Sequence, residues 1–165
     1  MTSDLSVWIG QHAERFPNKV AIRFEGEEIS YREFHARIQG AIVFLRRNHD
    51  IRYGDRIAYL GFNTPACLIL LFACARLGAL YLPLNWRLEV PELDYVLGHA
   101  DVKVLFADSA HLTTAESLTG GRSRCTTIDC DVLDLKPGED AETTEANSDV
   151  DLEAPLLLVY TSGTT

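Results

Sequence analysis

One stretch limits the fold more than any other. Arg56 to Phe62 is an apolar strand, and Thr64-Pro65 opens a helix with a cap residue and a proline at its first position. The helix, Ala66 to Leu77, is apolar nearly all round and so must be covered on most sides. Gly78 ends it, and Ala79 to Leu84 is a second apolar strand. Strand, helix and strand in this order make a βαβ unit with parallel strands and a right-handed crossover.

The same alternation continues on both sides. Upstream, residues 5–16 place Leu5, Trp8, Ile9, His12 and Phe16 on one helical face, and Pro17 stops the helix. Lys19 to Phe24 and Glu27 to Ser30 form a hairpin about Glu25-Gly26. Ser30 and Glu33 have the spacing of a capping box, so a helix follows to about Asn48, with Phe34, Ile38, Ile42 and Leu45 as its buried stripe. Downstream, a helix starts near Pro91 and buries Leu93, Val96 and Leu97. Val102 to Phe106 is a strand, Asp108 caps a short helix through Leu118, and Gly120-Gly121 breaks it. Thr126 to Ile128 and Pro155 to Tyr160 are further strands. The expected fold is α/β: a layered, largely parallel sheet flanked by helices, with an N-terminal helix and a β-hairpin. The expected organisation is an α/β body over 1–128, an acidic loop over 129–153, and a strand over 154–165 that leads into a terminal loop.

The formal charge of -9 is local. Residues 129–153 hold ten acids and one base, while the other 140 residues hold 14 of each. The body carries no basic surplus, which argues against nucleic acid or an anionic membrane as partner. The longest apolar run, Ala66 to Ala75, has ten residues, too short for the ~20 that an integral membrane span needs. MTSDLSVWIGQHAERF lacks the basic and apolar blocks of a signal peptide. The four cysteines form no C-x-x-C pair and read as buried or half-buried reduced thiols, a metal site being the alternative. The expected location is therefore cytoplasmic.

The chain ends Tyr160-Thr161-Ser162-Gly163-Thr164-Thr165. A loop of small and hydroxyl residues directly after an apolar strand can offer backbone N–H groups and hydroxyls to a polyphosphate. Gly163 lets the main chain approach a ligand closely. No Gly-Lys-Ser/Thr is present, so this is not the common P-loop. The binding candidates are Thr161, Ser162, Gly163, Thr164 and Thr165. No catalytic set and no metal set are read. The histidines are scattered, Ser109 near Asp108 and His111 is adjacency rather than a triad, and Trp86 is a single aromatic.

Three motifs in order resemble the N-terminal part of the adenylate-forming enzymes, which comprise acyl- and aryl-CoA synthetases, luciferases and peptide-synthetase adenylation domains. Ile29-Ser30-Tyr31-Arg32-Glu33-Phe34 is similar to the family's Leu-Thr/Ser-Tyr-x-Glu-Leu. Ala75 to Asn85 (ARLGALYLPLN) is similar to Leu-Lys-Ala-Gly-x-Ala-Tyr-x-Pro-Leu-Asp. Leu158 to Thr165 (LVYTSGTT) is similar to the opening of the phosphate loop, which in the family continues Gly-x-Pro-Lys-Gly. Gly54-Asp55-Arg56 also fits. Ala75-Arg76 and Asn85 depart from the peptide-synthetase pattern, and Pro83 to Leu88 (PLNWRL) is closer to the acyl-CoA synthetase branch.

The resemblance implies an ATP-dependent carboxylic acid–CoA ligase using ATP, Mg²⁺ and CoA, in which residues 161–165 border the β- and γ-phosphates. Arg87 is expected to be an ordinary loop arginine, contact with a phosphate of CoA or with an acid being the alternative. The family's adenine site, acyl pocket, Mg²⁺ carboxylate and catalytic Lys would lie beyond residue 165. The 165 residues are thus expected to be the first portion of a larger domain and to be inactive alone. The alternative is a stand-alone module that binds a small ligand or forms a homodimer through an unpaired sheet edge.

Overall fold

A computed structural model describes residues 5–121, 125–134 and 154–161. Helix α1 (Leu5–Arg15) leads into the hairpin of β1 (Val20–Phe24) and β2 (Glu27–Ser30). Its turn places Glu25 at φ 50° and Gly26 at φ 85°, both left-handed, as a tight hairpin requires. Helix α2 (Tyr31–His49) starts on the expected capping box. Glu33 N–H donates to Ser30 Oγ at 3.3 Å, and Ser30 N–H donates to Glu33 Oε2 at 3.0 Å. Loss of that cap in Ser30→Ala is expected to cost about 1 kcal/mol in urea unfolding. An unchanged midpoint would show the cap to be idle.

The βαβ unit follows as β3 (Arg56–Leu60), α3 (Pro65–Leu77) and β4 (Leu80–Leu84), with β3 and β4 parallel. Gly78 ends α3 at φ +67°, and a Cβ there would lie 2.5 Å from the Tyr53 ring, so both backbone and space demand glycine. Then come α4 (Val90–His99), β5 (Val104–Ala107), α5 (Leu112–Thr119), β6 (Thr126–Asp129) and a 3-10 turn over Cys130–Asp134. The four parallel strands lie in the order β4-β3-β5-β6.

That order dictates the layers. The chain moves from β3 to β4, then crosses back over β3 to β5 and on to β6. Right-handed crossovers in opposite directions put their helices on opposite faces. Accordingly Ile57, Tyr59, Tyr81, Val104 and Phe106 pack with α2 and α3 on one face. Ala58, Leu60, Leu82, Leu84, Leu105 and Ala107 pack with α4 and α5 on the other. Covering on both faces explains why these strands are continuously apolar.

Four expectations are corrected. Thr64 occupies the N-cap position of α3 but makes no side-chain cap bond; its Oγ1 lies 3.2 Å from the Tyr59 hydroxyl. Asp108 does not cap α5, which begins at Leu112 after His111. The acidic segment is not loop from its start, because Leu133 is buried by the 3-10 turn at its head. Residues 135–153 of that segment lie outside the described residues. The apolar run 155–160 is not a buried strand: it makes a single parallel bridge, Leu157 to Tyr81, and leaves Leu157 and Val159 exposed.

None of the four cysteines is in a disulfide, and three are buried; burial pushes the Cys74 thiol far above its ordinary value, so it stays protonated and inert. Among the described residues no helix is long and apolar enough to cross a membrane.

Candidate functional site

Register brings the ends of the parallel strands to one level. Leu60 is opposite Leu84 and Ala107, and Ala107 is opposite Asp129. The loops after β4, β3, β5 and β6 therefore leave from a single carboxyl edge. In open α/β sheets ligands bind at this edge, where the strand order reverses. Here the reversal falls between β3 and β5, whose following helices go to opposite faces.

At the reversal a buried carboxylate ties the two loops together. Asp108 is 8% exposed. Its Oδ2 accepts from the Phe62 N–H at 2.7 Å, and its Oδ1 accepts from the His111 N–H at 3.0 Å and from His111 Nδ1 at 2.6 Å. The carboxylate thus sets the ring proton on Nδ1. The imidazole packs against Phe62 and Trp86, with centroids at 5.0 and 5.8 Å, and Phe62 meets Trp86 edge-on at 5.0 Å. Arg87 stacks on the outer side, its guanidinium carbon 4.3 Å from the Trp86 ring centre. That stack gives Arg87 a local partner.

Beneath this cluster the Tyr59 hydroxyl donates to the Phe62 carbonyl at 2.9 Å. Burial raises the ionisation of both Tyr59 and Tyr81 well above the ordinary phenol value, so neither serves as an acid or base at neutral pH. A cavity of about 500 Å³ opens beside Asp108, between the hairpin, Arg37 of α2 and the start of α3.

The second part of the edge carries the predicted ligand loop. Residues 154–161 run parallel to β4, with Leu157 level with Tyr81, so Tyr160 is level with Leu84. Thr161 is exposed and lines a groove of about 710 Å³ with Asn85, Leu88, Glu92, Tyr95, Val96 and Tyr160. Of the predicted site residues, Thr161 is thereby brought to the carboxyl edge. Ser162, Gly163, Thr164 and Thr165 lie outside the described residues.

Three candidate metal ligands lie away from Thr161, and two of them, Cys130 and Asp131, line the cavity beside Asp108. One ligand atom each from Asp129, Cys130 and Asp131 falls within 4.8 Å of the others. The set sits after β6, four strand positions from the 154–161 segment, which is roughly 19 Å at the usual strand spacing. Asp129 Oδ1 is engaged by the Asp131 N–H at 3.0 Å.

The Asp108–His111 tie and the Phe62–Trp86–His111 cluster were not read as a unit from the sequence. One signal was present: each of these residues closely follows the end of a buried parallel strand, where such folds collect functional groups.

A family model described as AMP-binding enzyme matches residues 9–165. The chain is 38% identical to a feruloyl-CoA synthase of Amycolatopsis sp, over 98% of this chain and 31% of that protein. It is 33% identical to the indoleacetate–CoA ligase of Aromatoleum aromaticum, over 98% of this chain and 33% of the relative. Among solved structures, the o-succinylbenzoate CoA synthetase of Bacillus subtilis, in complex with its acyl-adenylate intermediate, superposes with a TM-score of 0.78 at 28% identity. That match covers 99% of this chain and 40% of that one. The chain spans about a third of the length of the relatives it matches.

Proposed function

The chain belongs to the AMP-binding enzyme family, and from that premise we propose that the protein is an ATP-dependent carboxylic acid–CoA ligase acting in the cytoplasm. In this reading residues 1–165 form the first portion of its nucleotide-binding domain. The acid's carboxylate attacks the α-phosphorus of ATP, giving an acyl-adenylate and pyrophosphate. The thiol of CoA then attacks the acyl carbon, and AMP leaves. Relatives named for ferulate and indoleacetate make aromatic acids the first substrate class to test.

The role of this chain is to border the triphosphate. Backbone N–H groups around Gly163 and the hydroxyls of Thr161, Ser162, Thr164 and Thr165 are the proposed contacts. The observation that carries the reading is the parallel seating of residues 154–161 against β4, which delivers Thr161 to the carboxyl edge. Mg²⁺ is part of the family chemistry, but the Asp129–Cys130–Asp131 set sits on the far side of the sheet from Thr161. It does not fit a metal serving this triphosphate, and no step is routed through it.

The test is ATP–pyrophosphate exchange with a panel of aryl, fatty and short-chain acids. The protein expressed from its entire reading frame is expected to exchange with at least one acid and to make its CoA thioester. The 165 residues alone are expected to release no pyrophosphate. Turnover by the 165-residue chain, or no exchange by the whole protein with any acid, would overturn the assignment. The exposed side chains of Leu157 and Val159 favour a second reading, a module that dimerises along this edge. Light scattering of the 165 residues tests it, and a monomer at high concentration counts against it.

A further inference from the structure

The segment that carries Thr161 is held to the sheet by few bonds. Tyr81 N–H donates to the Leu156 carbonyl at 2.8 Å, and Leu158 N–H donates to the Tyr81 carbonyl at 3.0 Å. In a parallel ladder the next N–H of β4 turned toward this segment would come two residues later. That residue is Pro83, which has no N–H. The usual next bond, to the Leu158 carbonyl, cannot form. The ladder is weakened just where the chain must be aimed.

A side-chain bond stands in the gap. The Tyr160 hydroxyl lies 2.6 Å from Nδ1 of His99, 61 positions earlier in the chain. His99 is the last residue of α4, a helix anchored through buried Leu93, Val96 and Leu97. Its ring is stacked on Tyr95, with centroids at 5.6 Å and planes 21° apart, and Tyr160 meets it edge-on at 5.8 Å and 88°. Tyr160 also packs, half-buried, on the cluster that joins α4 to the sheet. Loss of solvent, and then the nearby Tyr95, raise the Tyr160 phenol above its ordinary value, so it keeps its proton at neutral pH. His99 is thus fixed from behind and bonded in front, on the last described residue but one before the phosphate loop.

We propose that His99 is a positioning residue for ATP binding: by holding the Tyr160 hydroxyl it fixes the place of Thr161 at the carboxyl edge. The proposal rests on the reading of residues 161–165 as triphosphate contacts. His99 touches no substrate in this scheme and acts through Tyr160 alone.

The test uses the protein from its entire reading frame, with two readouts: KM values in ATP–pyrophosphate exchange and thioester formation, and the calorimetric Kd for ATP. His99→Ala and Tyr160→Phe are each expected to raise the KM and Kd for ATP about fivefold, the factor a neutral hydrogen bond contributes. KM values for the acid and for CoA should stay within twofold, and Tm should hold. His99→Asn, which keeps a polar atom near the place of Nδ1, should restore ATP binding to within twofold. Unchanged ATP affinity in both disruptive variants overturns the proposal. So does an equal rise in all three KM values together with a lower Tm, which marks a merely structural bond. Thr164→Val separates the two levels, since loss of a hydroxyl bond to charged phosphate should cost about tenfold in ATP affinity. If Thr164→Val leaves ATP binding unchanged, the phosphate-loop reading fails and this inference fails with it. If Thr164→Val weakens ATP while His99→Ala and Tyr160→Phe do not, the role of His99 alone is lost.

Discussion

Asp108→Ala is expected to lower the unfolding free energy by about 3 kcal/mol and Tm by about 10 °C. The carboxylate is buried and accepts three hydrogen bonds, from the Phe62 N–H, the His111 N–H and His111 Nδ1. A methyl group leaves all three donors without their acceptor. Each unsatisfied buried donor costs about 1 to 3 kcal/mol. Water from the adjoining cavity, about 500 Å³ and lined by Phe62 and Asp108, recovers part of that, which sets the expected total toward the lower end. Asp108→Asn should cost less, about 2 kcal/mol, because one carbonyl oxygen still accepts while the amide NH₂ faces a donor. Urea unfolding with an unchanged m-value checks both. A loss under 1 kcal/mol in Asp108→Ala would mean that water already serves these donors. The loops freed by the change carry Phe62 and His111, so the aromatic cluster with Trp86 should loosen too. Near-ultraviolet circular dichroism reads that at Trp86.

What could be read in advance follows from where each signal resides. The β3-α3-β4 unit was legible because its markers are local: a proline at the first position of α3, a glycine that must turn left at its end, and apolar runs too long to be anything but buried. The Ser30–Glu33 box was legible for the same reason. Asp108 was misread because its nearest pattern, an acid before a helix, is the pattern of a cap. What decides its role is the Phe62 N–H, 46 positions away, and no local pattern carries that. Thr64 shows the same effect at shorter range, since the Tyr59 hydroxyl competes for its Oγ1. The run 155–160 was misread for another reason. When every residue is apolar, the alternation of exposed Leu157 and Val159 with half-buried Leu156, Leu158 and Tyr160 leaves no trace in hydropathy. The acidic segment hid its 3-10 turn because the acids Asp129, Asp131 and Asp134 outweigh the buried Cys130 and Leu133 in its composition. The candidate ligand residues were read from composition and family likeness. Of these, the fold adds a position for Thr161 and nothing for the four after it.

Gly61→Ala should be about as costly as Asp108→Ala, near 3 kcal/mol, although it adds only a methyl group. Gly61 is the first residue after β3. A Cβ there would lie 2.6 Å from Asp108 Oδ2, 2.7 Å from Asp108 Cγ and 2.9 Å from the Tyr59 hydroxyl. All three distances are below van der Waals contact, so something must shift. Neither neighbour is free to do so. Asp108 is bound on both oxygens, and the Tyr59 hydroxyl donates to the Phe62 carbonyl while lying 3.2 Å from Thr64 Oγ1. The methyl is accommodated only by breaking one of these sets of bonds. The two substitutions should therefore not add. Once Asp108 is alanine, the two shortest of the three contacts are gone and only the one with the Tyr59 hydroxyl, at 2.9 Å, remains, so the double variant should be at least about 1 kcal/mol more stable than the sum of the single losses. Chemical unfolding of the four proteins in the cycle measures this. Additivity within 0.5 kcal/mol would mean that the methyl group avoids Asp108 and that the loops after β3 and β5 are not locked to each other through this carboxylate. Coupling of the expected size identifies the contact as the reason glycine stands at 61. The backbone must pass within reach of a fixed carboxylate for the two halves of the sheet to meet at the edge where the nucleotide site is proposed.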